Sequence, residues 1–448
     1  MRKTVITISL IFCILKMGVS GDIIALSWDQ VMELGMRQNL ELHMLRQDVN
    51  HQKLNVYRAM SDFLPTLNYS FQAVNNVELP VLVFMGNQFR IGTKYNFTHA
   101  LQAQYPLFLG GARIVNLKIQ NHARKSLLQM LKGKEEEIVL KAIEAYFQVI
   151  LSRDLLAVSR RAQQAARANF QQVKKFYEAG AASQLDFLRA QSKLSQTIPA
   201  VTSALNALRM SEENLKYILN ISVHDSVVVL DSLAEKDFLG PLKELELTAL
   251  QQMAQESRPD LKSLEHQLQI GGQKEWLAGS RFLPQIVAAA SVQHQAFLET
   301  AAVKSEDYTR AKSASISLQW PLFEGGKRVL EWQQAVIQKR KAAYQKELLK
   351  RTIMLEVKNN WNQFRLSKQN LKSLKQAFEE AKETLRLANL TYKEGVSTQV
   401  EVLNAQTAFT DAEARYRKGI FDYNIAQLKL LKALGKLHWL WQSNGTEN

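Results

Sequence analysis

Few residues in this chain stand where they could carry chemistry. Its eight histidines show neither a His-x3-His nor a His-Glu-x2-His spacing, so no zinc-type pair falls on one helix face. There is no Gly-rich phosphate loop and no Gly-x-Ser-x-Gly elbow. Cys13 is the single cysteine, which leaves no disulfide and no Cys-based metal site. His294 and His438 read as structural or exposed, and acidic runs such as "KEEEIVLKAIEAY" read as a solvated helix face. No catalytic group, cofactor or metal site is expected, so the chain reads as no enzyme. What remains is a matched pair of acids. Asp186 follows Gly180 and Glu401 follows Gly395 at the same distance. Ser183-Gln-Leu-Asp186 and Thr398-Gln-Val-Glu401 both fit capping boxes that open a helix, and Arg189 stands where it could pair with Asp186.

The elements that position these acids are written twice. "YPLFLGGARIVNLKIQ" at Tyr105 returns as "WPLFEGGKRVLEWQQA" at Trp320, with the same offset that separates Gly180 from Gly395. "MSDFLPTL" at Met60 returns as "GSRFLPQI" at Gly279, with a slightly longer one. The chain is therefore two copies of one unit, a first repeat over 22–225 and a second over 242–440. A linker at 226–241 joins them, and 441–448 form a tail. Each copy has the same order: a helix stopped by Phe-Leu-Pro, two strand-like runs, Pro-Leu-Phe-x-Gly-Gly, and two very long helices joined at a Gly.

The strand-like runs alternate. Leu67, Tyr69, Phe71 and Ala73 oppose Asn68, Ser70 and Gln72; Leu101, Ala103 and Tyr105 oppose Ala100, Gln102 and Gln104. Ala314, Ile316, Leu318 and Trp320 oppose Ser313, Ser315, Ser317 and Gln319. The run from Pro284 alternates more weakly. The long helices carry heptads instead: Leu371, Leu374, Phe378, Ala381, Leu385, Ala388 and Tyr392 before the turn, and Val402 through Phe409, Tyr416 and Tyr423 after it. The helix from Ala112 to Tyr177 would run roughly 100 Å. Pro199 should interrupt the first return helix and bend it.

The phrase that repeats is then a joint between sheet and rod. Tyr105 and Trp320 suit a membrane–water boundary. Pro106 and Pro321 would end strand pairing for want of an N–H. Gly110-Gly111 and Gly325-Gly326 would let the backbone turn into the helix. Strands of this length and alternation fit a tilted membrane barrel, or equally a soluble sheet capped by helices. Four strands cannot close a barrel, and open edges do not survive in lipid, so a barrel would require strands pooled between chains: eight from two, twelve from three.

The N-terminus reads as a secretory signal over 1–21, with Arg2 and Lys3, an apolar run from Val5 to Leu15, and small residues at Gly18, Ser20 and Gly21. A buried strand or short anchor is the other reading of that run. The net charge of +15 falls to +12 without Arg2, Lys3 and Lys16. The basic residues interleave with Glu and Gln along helices, so the charge describes a solvated face and no nucleic-acid partner is expected.

With the duplicated unit, Phe-Leu-Pro before the first strand, Pro-Leu-Phe-x-Gly-Gly after the second, and the Gly-x5-[DE]-x-Leu tip, the chain resembles the TolC-type outer-membrane efflux proteins of Gram-negative bacteria. The resemblance implies a mainly α fold with a small β part. Long coiled-coil-like helices would form an α-barrel across the periplasm, and four membrane strands per chain would close a homotrimeric twelve-stranded β-barrel among outer-membrane lipid. It implies an exit duct that docks on a periplasmic adaptor protein and an inner-membrane efflux pump or ABC exporter. The turns at Gly180-Ala181 and Gly395-Val396 would engage the adaptor. Glu401 and Asn404 match the positions at which the family rings its periplasmic mouth with acids. Asn404 is neutral, so three chains would place one ring of Glu401 there, with a milder cation preference than two rings. Cap and ring both remain readings for Glu401; for Asp186 the cap is the simpler one. The stretch "VHDSVVVLDS" between the copies reads as a short strand of a belt around the rod, and "ELPVLVFMGNQFRIG" as an outward-facing loop. A soluble periplasmic coiled-coil binding or scaffold protein is the alternative.

Overall fold

A computed structural model describes residues 23–442. The expected leader at 1–21, Cys13 within it, and most of the expected tail at 441–448 lie outside the described residues. In chain order the first copy contains β1 (Ile23–Leu26), α1 (Trp28–Gln38), α2 (Leu40–Ser61), β2 (Thr66–Asn75), β3 (Val81–Phe84), β4 (Asn87–Arg90), β5 (Tyr95–Leu109), α3 (Ala112–Glu178) and α4 (Gln184–Leu219). After β6 (Ser226–Val229) and a 3-10 turn at Gly240–Glu244, the second copy contains α5 (Leu247–Ser257), α6 (Pro259–Ser280), β7 (Gln285–Leu298), β8 (Thr309–Gln319), α7 (Lys327–Lys393) and α8 (Gln399–Ala433). A short α9 (Trp439–Gln442) follows.

The duplication extends to element boundaries. Helices α3 and α7 both contain 67 residues, and each starts one residue after a Gly-Gly pair. The helix expected before Phe-Leu-Pro is two helices in both copies. In the first, Asn39 takes an extended backbone and its side-chain oxygen accepts from the Glu41 and Leu42 N–H groups, starting α2 afresh. In the second, Arg258 is extended ahead of Pro259, which opens α6. Pro199 does not interrupt α4, which continues from Gln184 to Leu219 around it.

The chain gathers into two compact units, each drawn from both copies. The first unit comprises 23–43, Lys134–Ser257 and 355–442. Its core lies along the middle of α3, where Ile143, Tyr146, Phe147 and Ile150 are fully buried. The heptad seam closes α7 on α8: Phe378 stacks on Phe409 at 5.7 Å and on Tyr416 at 5.4 Å, and Phe364 meets Tyr423 at 5.9 Å. Gly419 lies so close to Leu374 that a Cβ there would meet it at 2.8 Å, so the small residues of the seam set a close helix approach. Strand β6 pairs in parallel with β1, which makes the belt two-stranded.

The second unit comprises Met44–Gly133 and Arg258–Met354 and holds one four-stranded antiparallel sheet in the order β2-β5-β7-β8. Its central pairing, β5 with β7, joins copy one to copy two. Opposed residues share a face, so the register builds rungs. Leu67, Ala103, Ala290 and Ala314 form one, and Asn68, Gln102, Ser291 and Ser313 form the next on the opposite face. Alternation in each strand thus sums to one apolar and one polar surface. The apolar surface is uncovered within the chain: Leu67 is 68% and Ile316 73% exposed. Among the described residues no helix is long and apolar enough to cross a membrane. The copy-one loop folds as the hairpin β3-β4 around Met85-Gly86, both at positive φ, as a tight hairpin turn requires.

Candidate functional site

Two features of each copy carry the expected site residues: the turn between the long helices, and the joint between sheet and helix. At the turns, α3 and α7 end in the same C-cap. Gly180 and Gly395 take φ of 70° and 74°. The Ala181 N–H reaches back to the Phe176 carbonyl at 2.7 Å, and the Val396 N–H to the Thr391 carbonyl at 2.9 Å. The left-handed glycine and the long back-bond together satisfy carbonyls that a helix end leaves bare.

The return helices are N-capped as the spacing suggests, by half of each box. The Ser183 hydroxyl accepts from the Asp186 N–H at 3.1 Å, and the Thr398 hydroxyl from the Glu401 N–H at 3.4 Å. The reciprocal acid-to-N-cap bond forms at neither turn. Asp186 instead accepts a hydrogen bond from the Ser183 hydroxyl at 2.7 Å and pairs with Arg189 at 3.5 Å. Glu401 is exposed, and among the described residues its carboxylate has no hydrogen-bond or ionic partner. Asn404 is exposed on the next turn of the same helix. The tips of the two copies are neighbours: burial, and then the Asp186 carboxylate, hold the Tyr392 phenol above its ordinary range.

Above the turns lies an ionic cluster that the pattern did not reveal. Glu413, on α8 and only 6% exposed, pairs with Arg161 of α3 at 2.7 Å; Arg417 pairs with Asp154 of α3 at 3.3 Å. It ties the outgoing helix of copy one to the return helix of copy two. In sequence, these residues look like any solvated charges beside a heptad seam.

At the joints, Gly110, Gly111, Gly325 and Gly326 take φ of 60°, 80°, 58° and 81°, so the strand-to-helix turn is made by one backbone shape used twice. The arginine two residues beyond each pair explains its place in the phrase. Arg113 donates to the Asp62 carbonyl at 3.2 Å and lies over the Phe63 ring at 5.2 Å; Arg328 donates to the Arg281 carbonyl at 3.2 Å and lies over the Phe282 ring at 5.3 Å. Each arginine therefore clamps the Phe-Leu-Pro stop of its own copy, which fixes the angle at which strand and helix meet. The two motifs work as one device, a link that neither shows alone.

The prolines behave differently from expectation. Pro106 does not end pairing: β5 continues to Leu109, with Pro106 opposite Val287 and a bulge before Phe108. Tyr105 is accordingly inside its strand. In copy two, β8 stops at Gln319, so Trp320 and Pro321 lie beyond it, and the Trp320 indole donates to the Phe282 carbonyl at 3.1 Å.

The belt is held by amides that sequence reading passed over. Asn424 and Gln427 are fully buried on α8. Asn424 donates to the Ala234 carbonyl at 2.8 Å and accepts from the Lys236 N–H at 3.1 Å. Gln427 donates to the Lys236 carbonyl and accepts from the Phe238 N–H, both at 2.9 Å. Each amide thus imitates one residue of a neighbouring strand. Two buried amides three apart in an apolar helix end are the available signal. On the other side, Arg153 donates to the carbonyls of Val229 and Asp231.

Comparison with known proteins gives one consistent result. A family model described as "Outer membrane efflux protein" matches residues 34–220 and again 250–436. The alkaline protease secretion protein AprF of Pseudomonas aeruginosa is 24% identical over 396 residues, covering 85% of this chain and 79% of that protein. The outer membrane protein TolC of Vibrio cholerae is 25% identical over 305 residues, 68% of each chain. Among solved structures, a membrane protein from Pseudomonas aeruginosa superimposes with a TM-score of 0.78 at 19% identity over 91% of this chain and 93% of the other.

Proposed function

The chain belongs to the family of outer membrane efflux proteins, and from that premise we propose how it works as the exit duct of a tripartite efflux or type I secretion assembly. It is a channel of the outer membrane of a Gram-negative bacterium. The observation that carries the reading is the sheet of four strands, apolar on one surface and polar on the other, from which each copy sends out a 67-residue helix. A soluble scaffold has no use for that uncovered apolar surface, whereas a barrel wall needs it against lipid.

Three chains pool their strands into a twelve-stranded barrel. Tyr105 and Trp320 anchor it at the lipid–water boundary, and the Gly-Gly joints hand each strand pair to the helices. The turns at Gly180-Ala181 and Gly395-Val396 present small residues to a periplasmic adaptor, which brings an inner-membrane pump or ABC exporter. Relatives named for protease secretion and for efflux both fit this plan, which sets no cargo. The duct does no chemistry of its own.

Glu401 selects at the periplasmic mouth. Its carboxylate is exposed and unpaired among the described residues, so it can face a ring partner on each neighbouring chain, while Asp186 is held by Ser183 and Arg189. Three such carboxylates attract cations. The test is conductance of the purified protein in a planar bilayer. A cation-preferring pore is expected, with Glu401→Gln reducing the preference and the block by divalent cations while Asp186→Asn leaves both unchanged. A protein that stays soluble and forms no pore would overturn the duct. A pore indifferent to Glu401→Gln would remove the residue from the mouth.

A further inference from the structure

The strands β2, β5, β7 and β8 contain four basic residues and no acidic one: His99 on β5, His294 on β7, and Arg310 and Lys312 on β8. A wall with one watery and one oily surface should keep such groups on the watery side. All four are on the other. His99, His294 and Arg310 stand opposite one another in a single rung with Phe71. Lys312 stands in a neighbouring rung of the same face, with Val292, Leu101 and Tyr69. By parity both rungs belong to the apolar surface of Leu67 and Ile316. The polar surface of these strands has no charged residue; its groups are amides such as Asn68 and Gln102 and hydroxyls such as Ser313 and Ser315.

We propose that Arg310, Lys312 and His294 bind the phosphate groups of lipid A, the phosphorylated glycolipid of the outer leaflet. The proposal rests on the barrel reading above and adds a lipid to it. Depth supports the placement. On that reading the joints lead into the periplasm, so the opposite end of the sheet, with the loop 299–308, faces the cell exterior. Trp320 is ten residues on from Arg310, roughly 33 Å along extended chain and about 23 Å of depth at a 45° tilt, which matches an apolar band of about 25 Å. With Trp320 at the inner boundary, Arg310 stands at the outer one. Lys312 is slightly deeper, and its aliphatic stem carries the ammonium outward.

The anion must come from outside the chain. Arg310, Lys312 and His294 are exposed, and among the described residues none of them has an ion-pair or hydrogen-bond partner. No strand of the sheet contains a carboxylate, so no arrangement of strands in the assembled wall supplies one. Two acids of the adjoining loop are already engaged: Glu306 faces Lys304 at 3.7 Å, and Asp307 accepts from the Lys304 N–H at 2.7 Å. A guanidinium meets phosphate oxygens in a two-bonded fork, and an ammonium adds a point charge.

The fourth basic residue holds the place in shape. His99 hydrogen-bonds through both ring nitrogens, Nδ1 with the Tyr69 hydroxyl at 2.7 Å and Nε2 with the Tyr308 hydroxyl at 3.1 Å. Tyr308 thus reaches across β7 and ties down the chain two residues before Arg310. Beneath the cations the same surface continues as Ala290, Ala314 and Ile316, with Ile316 73% exposed. Charge above and hydrocarbon below fit an anionic amphiphile along its length. A free phosphate would use only the upper part.

Native mass spectrometry of the full-length protein in mild detergent, stripped of its own lipid and titrated with lipid A, tests the assignment. The parent is expected to bind lipid A, and R310S/K312S to bind it at least tenfold more weakly while conducting in a planar bilayer as the parent does. K304S removes an exposed lysine of the loop and is expected to bind as the parent does. Lipid A freed of its phosphates, phosphatidylglycerol and inorganic phosphate are each expected to bind the parent at least tenfold more weakly than lipid A. These three arms use the parent alone, so they decide the question even if R310S/K312S fails to assemble. Equal binding of lipid A by parent and R310S/K312S would overturn the assignment and leave the duct. So would equal binding of lipid A and its phosphate-free form, or of lipid A and phosphatidylglycerol, by a parent that conducts. A parent that binds no lipid and forms no pore would overturn the two together.

Discussion

The glycines at the tips and joints have the same backbone and different surroundings, so their substitutions should separate two physical costs. Gly180 and Gly395 stand in open space at positive φ. Alanine at either should cost about 1 kcal/mol of conformational strain and nothing in clash, read as a modest loss of hydrogen-exchange protection confined to the turn. Gly110→Ala adds a collision with the Ser280 backbone carbonyl at 2.5 Å, which cannot swing aside, and should cost several times more, seen as a lower unfolding temperature. Gly326→Ala has no such collision within the chain. It should therefore cost the strain alone and leave the unfolding temperature close to the parent's. The glycines, their turns and the two caps were legible in the sequence because special backbone shapes demand special residues. The arginine clamp and the open carboxylate of Glu401 were not, because both depend on which atoms meet across distant segments.

Among the elements, period decides what could be read. The strands announced themselves by alternation and the long helices by heptads, and both stand where those patterns placed them. Two prolines ran against expectation because a local signal was outvoted by neighbours, and one helix broke at a local cap. Pro106 stays in a ladder because β7 flanks it. Pro199 stays in a helix because α4 is long on either side. The first helix breaks at Asn39, whose side chain starts α2 better than it would continue α1. The belt was visible as a strand, but its anchors on α8 were hidden as two polar residues in an apolar run. Asn424→Ala leaves the Ala234 carbonyl and the Lys236 N–H unpaired in a buried place and should destabilise by about 1–3 kcal/mol, with faster exchange at Lys236 and Phe238. Contact between α3 and α6 should depend on pH. Burial, then the neighbouring His266 and Lys125, hold His122 below its usual 6.5; burial and Lys125 do the same to His266 against a small opposing pull from Glu265. The two rings lie 5.6 Å apart. As pH falls below 6.5 the unfolded chain takes up protons before the folded one, so stability present above that value is lost through the range beneath it. Melting followed from about pH 7.5 to about pH 5 should fall less steeply in H122Q/H266Q than in the parent.

For the molecule as a whole, duplication is the organising fact. It places two strands and one rod in each copy, interleaves the copies through β5 and β7, and leaves outer edges that are counterparts of the inner ones. A wall built this way is incomplete in a single chain, because unpaired backbone cannot face hydrocarbon. Three copies supply twelve strands, the number the proposed barrel needs to close. Native mass spectrometry of the complex extracted from outer membranes in mild detergent reads the copy number outright. Particles of three chains are expected, with conductance confined to them. Single chains that form pores alone would show that the wall is sealed some other way, and the pooling of strands would have to be abandoned.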